Sequence, residues 1–175
     1  MRDTVETGSE MIVEMLRRSY FAVDGLWFVL LEEQDGLELA LEIDERVWRV
    51  MPKIQARKAR ELMGVDADTP AALVRCMALK FAAEGHGYEV RFENTGEASI
   101  VISKCPWRLI LEQSGREHLG PEIAERICTA EVAGWAAEFS PEGGPPIEFE
   151  VCETICTGDA RCRYVFRVSD DDTTE

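Results

Sequence analysis

Four side chains in the last third of the chain have the types and spacing to hold a metal ion. Three are the thiols of Cys128, Cys156 and Cys162, and the fourth is the carboxylate of Glu153. Structural zinc sites take four donors of this kind in a tetrahedral arrangement. Gly158 lies between Cys156 and Cys162, where the chain can turn back and present both sulfurs. We therefore predict a zinc site built from these four side chains.

Other roles for the cysteines remain open. Cys152 adjoins Glu153, and it becomes the ligand if the strand that carries both residues ends or bulges there. A site with Cys152 in place of Glu153 suits an iron–sulfur cluster as well as zinc. Cysteines at apolar positions are also often plain small hydrophobic residues, which is the interpretation we favour for Cys76 and Cys105.

Hydrophobic periodicity predicts the elements that must position these residues. Apolar residues recur at helical spacing over 9–33 and 37–63, which predicts two long helices that form a hairpin. Thr69-Pro70 starts a third helix that ends at Gly85. A fourth helix runs from Glu122 to about Phe139 and turns Cys128 inward.

Strand patterns fill the space between the helices. Apolar and charged residues alternate in three segments, 88–92, 147–151 and 162–168. A turn at 94–96 leads from the first of these segments into 99–103, which predicts a β-hairpin. The predicted fold is α+β, with the N-terminal helical hairpin and the other helices packed on a four-stranded antiparallel sheet. The metal site would join the fourth helix to the C-terminal hairpin.

Length and charge limit the organisation and the partners. The chain has 175 residues, and its composition predicts a single domain over 1–168, with the hairpin at 9–63, the metal-binding part at 70–168, and a disordered acidic tail at 169–175. A net charge of -15 would repel nucleic acid and anionic membranes, so neither is an expected partner. The start of the chain lacks the pattern of a signal peptide, which predicts a cytoplasmic protein.

The cysteine-rich segment resembles a known family. Cys128 followed by Gly134-Trp135, and the run from Glu153 through Cys156 and Cys162 to Phe166, are similar to the 4-vinyl reductase domain, a small-molecule-binding module found in phenol-sensing transcription activators. The resemblance implies a fold related to subunits of a vesicle-tethering complex. It also implies zinc on Cys128, Glu153, Cys156 and Cys162, next to a ligand pocket.

A second resemblance points to an enzyme. The segments 21–27 and 104–107, together with Glu131, are similar to the family of L-2-amino-thiazoline-4-carboxylic acid hydrolases. That family implies a metal-dependent hydrolase of a small nitrogen heterocycle, with Glu131 or His118 handling protons. Glu131 lies on the inner face of the fourth helix, where a carboxylate is expected only if it is paired or functional.

The function hypotheses differ in what the metal does. The first is a zinc-containing binding or sensing domain for an aromatic or hydrophobic small molecule, in which Phe21, Trp27, Trp107 and Trp135 line the pocket. The alternatives are the metal-dependent hydrolase and an iron–sulfur protein that uses Cys152. Apolar surface left over would allow a homodimer.

Overall fold

A computed structural model describes residues 8–169 of the chain. It begins with two long helices, α1 (Ser9–Asp35) and α2 (Leu37–Met63). Gly36 alone separates them, with a φ of 90° that favours glycine, and its amide donates to the Glu32 carbonyl. The predicted pair of N-terminal helices is therefore present. Of the predicted acidic tail, 170–175 lie outside the described residues.

The third helix, α3 (Pro70–Glu84), has the ends that the sequence predicts. The Thr69 hydroxyl accepts a hydrogen bond from the Ala72 amide at 3.2 Å, and Pro70 occupies the first helical turn. Gly85 ends the helix in the left-handed conformation at φ 79°. Strands β1 (Gly87–Phe92) and β2 (Glu97–Lys104) follow as a hairpin.

The predicted fourth helix is more complex than its periodicity indicates. The chain forms α4 (Pro106–Gln113), a 3-10 turn (Glu117–Leu119) and α5 (Gly120–Ile123) before a π-helical turn (Ala124–Cys128) leads into α6 (Thr129–Phe139). Thr129 Oγ1 donates to the carbonyl of Ala124, five residues earlier, at 3.1 Å. Isolated π turns within helices occur frequently at functional sites, and this one contains Cys128.

Four antiparallel strands form the sheet, in the order β1-β2-β4-β3. Strand β3 (Ile147–Glu153) and strand β4 (Cys162–Val168) are joined through a 3-10 turn (Ile155–Thr157). These strands confirm the α+β class and the four-stranded antiparallel sheet. Ile102 of β2 pairs with Cys162 of β4, and β3 bulges at Cys152.

The chain divides into two compact units, the first ending at Glu42 and the second starting at Ile43. In the second unit, α3 packs on β1 and β2, and α6 packs on α3 and β3. The largest fully buried side chains of this core are Leu73, Met77, Trp135, Phe139 and Phe166. Helix α1 of the first unit has no fully buried residue. Within 8–169, no helix combines the length and the apolar character needed to cross a bilayer.

Candidate functional site

Helix α3 carries two charged side chains into the core. Lys80 and Glu84 are one helical turn apart, and their side chains are only 5% and 6% exposed. Lys80 Nζ lies 3.1 Å from Glu84 Oε2 and 2.5 Å from Glu131 Oε1 of α6. We call Lys80, Glu84 and Glu131 the charge cluster. Burial of a charge is costly unless the charge is paired, and Lys80 serves as the partner of both carboxylates.

The charge cluster holds one cation against two carboxylates. Burial by itself would lower the pKa of Lys80, but the carboxylates of Glu131 and Glu84 outweigh it and raise that pKa, so the amine stays charged. Burial raises the pKa of Glu84 to about 6, against the attraction of Lys80 and with a further increase from Glu131. Glu84 therefore titrates near pH 6.

Two tryptophans border the charge cluster. Trp107 at the start of α4 packs edge-to-face on Trp48 of α2, with 5.8 Å between ring centroids. The Trp107 side chain hydrogen-bonds Glu84 and lowers the pKa of that carboxyl. Lys80 Nζ lies 5.7 Å from the centre of the Trp48 ring and 4.6 Å from that of Phe81, within the range of cation–π attraction.

His86 is a buried neutral neighbour of the charge cluster. Its side chain is 3% exposed and packs on Phe81, with 4.7 Å between ring centroids. Burial, helped by the positive charge of Lys80, lowers the pKa of His86 to about 3. Its Nδ1 atom lies 3.6 Å from Glu84 Oε2, which is too far for a hydrogen bond.

The two predicted proton-transfer residues lie in different surroundings. Glu131 is in the charge cluster, its side chain 12% exposed and paired with Lys80. His118 is exposed in the 3-10 turn before α5. The sequence indicated Glu131 as an unusual inner carboxylate but did not identify its partner.

Lys80 and Glu84 were missed because the periodicity of α3 was interpreted through its apolar residues alone. Leu73, Met77 and Phe81 recur every four residues and mark the inner face. Cys76, Lys80 and Glu84 also recur every four residues. Cys76 directly precedes Met77, and Lys80 directly precedes Phe81. All six residues are buried. Charged residues that recur next to an apolar helical face were therefore the sequence signal that could have identified Lys80 and Glu84.

Three other cysteines and Glu131 act electrostatically on the thiol of Cys128. Cys128 is partly exposed as a residue, but burial of its thiol raises the thiol pKa well above the ordinary value. Glu131 and the thiols of Cys105, Cys156 and Cys162 raise the pKa of Cys128 further. We call these four cysteines the thiol cluster.

Backbone groups already contact two members of the thiol cluster. The Cys162 thiol accepts a hydrogen bond from the Ile155 amide at 3.3 Å. Cys105 precedes α4, where the amides of Arg108 and Trp107 hydrogen-bond its thiol. Burial nevertheless raises the pKa of Cys105 to about 11, so this thiol is protonated at neutral pH.

Glu153 lies apart from the predicted metal ligands. Its Oε2 accepts a hydrogen bond from Arg161 Nε at 2.8 Å, and its side chain is 33% exposed. Cys152, at the bulge of β3, is exposed as well. Within 8–169, no three His, Cys, Asp or Glu side chains are arranged as metal ligands. The structure thus does not bring the predicted set of four together, and the zinc site stays a prediction.

The four predicted pocket aromatics belong to different units. Trp107 borders the charge cluster, and Trp135 is fully buried and stacked on Phe139. Among residues 8–169, the Nε1 atom of Trp135 has no hydrogen-bond partner. Trp27 is exposed on α1 and lines an open groove there. Phe21, on the same helix, packs on Tyr20.

Known structures with a similar fold include a trafficking complex subunit. The chain matches trafficking protein particle complex subunit 3 from Naegleria fowleri, covalently bound to palmitic acid, with a TM-score of 0.51 and 15% identity over 93% of this chain and 98% of that one. At this identity the match shows the fold alone, which is the fold that the 4-vinyl reductase resemblance implied. The phenol-responsive sensory domain of the transcription activator PoxR, with phenol, matches at a TM-score of 0.47 and 14% identity over 84% of this chain and 73% of that one.

Sequence comparison places the chain in a family. A search of curated proteins gives no match, and membership of the 4-vinyl reductase family stays a prediction. The model of a family of unknown function, DUF6125, matches residues 5–116. This segment contains Lys80, Glu84 and Trp107 and ends before Cys128. Because the match spans more than half of the chain, the protein belongs to the DUF6125 family.

Proposed function

We propose that the protein is a small-molecule-binding domain in which the charge cluster recognises the polar group of an aromatic ligand. The observation that carries the proposal is the set of Lys80, Glu84 and Glu131, buried between α3 and α6. Replacement of buried ion pairs by apolar residues is often neutral or stabilising, so stability alone gives little reason to keep three charges there. Buried titratable groups with shifted pKa values are typical of functional sites.

The surroundings of the charge cluster favour a particular ligand chemistry. Trp48 and Trp107 provide an apolar wall for a ring, while the cluster offers ammonium donors and carboxylate acceptors. With both carboxylates ionised, the cluster has a net charge of about -1. A hydroxyl or ammonium group on the ligand suits this environment, whereas a ligand carboxylate would add a second uncompensated negative charge.

We infer that a ligand would approach the charge cluster from the side of α4. Trp107 is only partly buried, and Glu131 is the most exposed member of the cluster. A ligand ring that displaces the edge of Trp107 from Trp48 would reach Glu84 directly. The trafficking complex subunit with a similar fold is covalently bound to palmitic acid, which supports a small-molecule-binding role in general.

Calorimetric titration with three small aromatic probes tests the proposal. We expect phenol and benzylamine to bind at pH 7 and benzoate to bind much more weakly. Trp107→Ala should abolish binding of both probes, while Trp27→Ala, at an exposed position on α1, should leave it unchanged. Equal affinity for benzoate, or no binding of phenol and benzylamine, contradicts the proposal.

We also propose that the domain contains zinc held by Cys128, Cys156 and Cys162. These thiols come from the π turn, the 3-10 turn after β3 and the start of β4. An ion that joins these elements would contribute directly to folding. Metal analysis of protein purified under reducing conditions should give about one zinc per chain. Brown protein that contains iron would instead favour the iron–sulfur alternative.

A further inference from the structure

We propose that one face of α1 pairs with the same face of a second copy of the chain, with the two helices antiparallel. We call this face the α1 stripe, and its members are Ile12, Met15, Leu16, Ser19, Val23, Leu26, Trp27 and Leu30. The stripe belongs to the first unit of the chain, whereas the charge cluster and the cysteines lie in the second. The dimer therefore depends on neither the proposed ligand nor the proposed zinc.

The exposed side of α1 is apolar, where a surface helix is normally polar. Seven of the eight members of the α1 stripe are large apolar residues, and their exposure ranges from 48% at Ile12 to 67% at Trp27. Arg17 and Asp24 lie instead on the half-buried side of the helix. Because amphipathic surface helices turn their apolar face toward a packed neighbour, this reversed order indicates that another surface covers the stripe.

The spacing within the α1 stripe fits a second helix. Its central positions follow one another at alternate steps of four and three residues: Ile12, Leu16, Ser19, Val23, Leu26 and Leu30. This is the spacing of the contact positions in a two-stranded coiled coil, where each side chain packs between four side chains of the facing helix. Met15 and Trp27 border this seam and widen it. The expected occupant is therefore a helix with a similar apolar stripe.

The area of the α1 stripe is sufficient for a stable dimer. Each of its seven apolar side chains exposes on the order of 100 Å², which gives about 700 Å² for one copy. Monomeric proteins rarely expose a contiguous apolar patch of this size. A standard protein–protein interface buries about 800 Å² on each partner, so the stripe and the residues at its edges meet that requirement.

The charges of α1 favour a second copy over a lipid bilayer. Helices that lie on membranes carry lysine and arginine on their polar face. Helix α1 has two arginines, Arg17 and Arg18, against six acidic residues, and the whole chain has a net charge of -15. Because a symmetric dimer uses the same patch on both subunits, one self-complementary stripe is enough to form it.

The distribution of charge along α1 favours the antiparallel orientation. Both arginines lie in its first half, where they pair with Glu14, and the last turns contain Glu32, Glu33 and Asp35 without a base. Parallel helices would bring the acidic ends of the two copies together. Antiparallel helices place each acidic end beside the first half of the other copy, where two arginines and one carboxylate leave a positive charge. That charge also offsets the unfavourable position of acids at a helix C-terminus.

An antiparallel pair centred on Val23 matches the members of the α1 stripe. Leu16 and Leu30 lie equally far from Val23 in the sequence, so Leu16 of one copy lies opposite Leu30 of the other. Leu30 and Trp27 are among the residues that line the open groove on α1. The groove of each copy therefore receives Leu16 of the other copy, at two places related by the symmetry.

Sedimentation equilibrium of the reduced full-length chain tests the proposal. We expect the wild type to dimerise with a dissociation constant in the micromolar range or below. Leu16→Glu and Leu26→Glu should each raise this constant on the order of 100-fold, because a symmetric interface contains every substitution twice. Leu62→Glu is the matched control, since Leu62 on α2 is 66% exposed and Leu16 is 64% exposed. Circular dichroism verifies that each variant folds.

Other results would overturn the proposal. Wild-type protein that stays monomeric at high micromolar concentration has no such interface. A dimer that Leu62→Glu weakens as much as Leu16→Glu does places the interface elsewhere. A monomer that cosediments with phosphatidylcholine vesicles, and loses this binding through Leu16→Glu, identifies a bilayer as the occupant of the α1 stripe.

Charge reversal at the two ends of α1 tests the orientation. In antiparallel helices Arg18→Glu brings an acid toward Glu33 of the other copy, so it should weaken the dimer about 3- to 10-fold at low salt. Glu33→Arg should weaken it similarly, and the double variant should restore the wild-type affinity. Parallel helices place each position beside its own counterpart. Single variants that dimerise like the wild type, or a double variant weaker than either, would therefore overturn the antiparallel arrangement.

Discussion

Lys80 Nζ lies 2.5 Å from Glu131 Oε1, and this contact joins α3 to α6 in the core. Glu84 provides a second carboxylate at 3.1 Å from the same nitrogen. The amine is therefore the common partner of two buried acids. Removal of one charge from the cluster leaves its partners buried without a counter-charge. The stability of the domain should therefore depend on which charges remain in the cluster.

Substitution of Lys80 should be strongly destabilising. Lys80→Met leaves Glu84 and Glu131 buried without their cation, and loss of one partner of a buried ion pair costs about 3–5 kcal/mol. The triple variant Lys80→Met, Glu84→Gln, Glu131→Gln removes every charge and should recover most of that loss. Urea unfolding at pH 7 measures both, with Lys53→Met, at a half-exposed position, as the control. If Lys80→Met unfolds like the control, the ion pairs do not support the core.

The stability of the protein should also depend on pH through Glu84. Burial raises the pKa of Glu84 from 4.5 to about 6, so the folded state holds a proton on this group that the unfolded state has lost at pH 5. Stability from protonated Glu84 is present below pH 4.5 and decreases as the pH rises to 6 and above. Glu84→Gln mimics the protonated form and lacks this decrease.

The difference in unfolding free energy between wild type and Glu84→Gln isolates this effect. We expect the wild type to lose stability relative to the variant between pH 4.5 and pH 7. Glu61→Gln, at an exposed helical position, serves as the control for general charge effects. A constant difference across this pH range would mean that Glu84 titrates in the folded state as it does in the unfolded chain.

The contact between α6 and α2 predicts opposite effects for two glycines. A Cβ atom on Gly134 would come within 2.8 Å of the Pro52 Cβ, and Pro52 is fully buried. Gly134→Ala should therefore destabilise the domain by about 1–3 kcal/mol. Gly25 is also helical but has open space around it, so Gly25→Ala should stabilise α1 by about 0.5–1 kcal/mol. Thermal unfolding of the two variants should shift in opposite directions, and a stabilising Gly134→Ala would contradict the close approach.

The sequence was sufficient to predict the elements whose ends carry a chemical signal. Thr69-Pro70 and Gly85 bound α3 because a hydroxyl cap, a first-turn proline and a left-handed glycine each satisfy a local requirement. Three strands followed from alternation of apolar and charged residues, and the strand that contains 99–103 followed from the turn at 94–96. The π turn was not predictable in this way, since its extra residue per turn leaves the local composition unchanged.

The functional site was predictable only in part. Glu131 was identified because a carboxylate on an apolar helical face needs a partner, but the partner lies 51 positions earlier in the chain and only packing brings it near. Glu153 was chosen as a carboxylate beside clustered thiols at the turn between the last two strands, with added weight from the resemblance to the 4-vinyl reductase domain. The bulge at Cys152 changes the register of β3 and leaves Glu153 beside Arg161, which sequence spacing does not reveal.

The most direct test of ligand binding is the NMR signal of each tryptophan indole N–H during titration with phenol at pH 7. The four signals are assigned with single Trp→Phe variants. The account predicts that the Trp107 signal shifts in a saturable way, because its side chain contacts Glu84, and that the exposed Trp27 signal does not. A shift confined to Trp27, or none at Trp107 under saturating phenol, would contradict binding at the charge cluster.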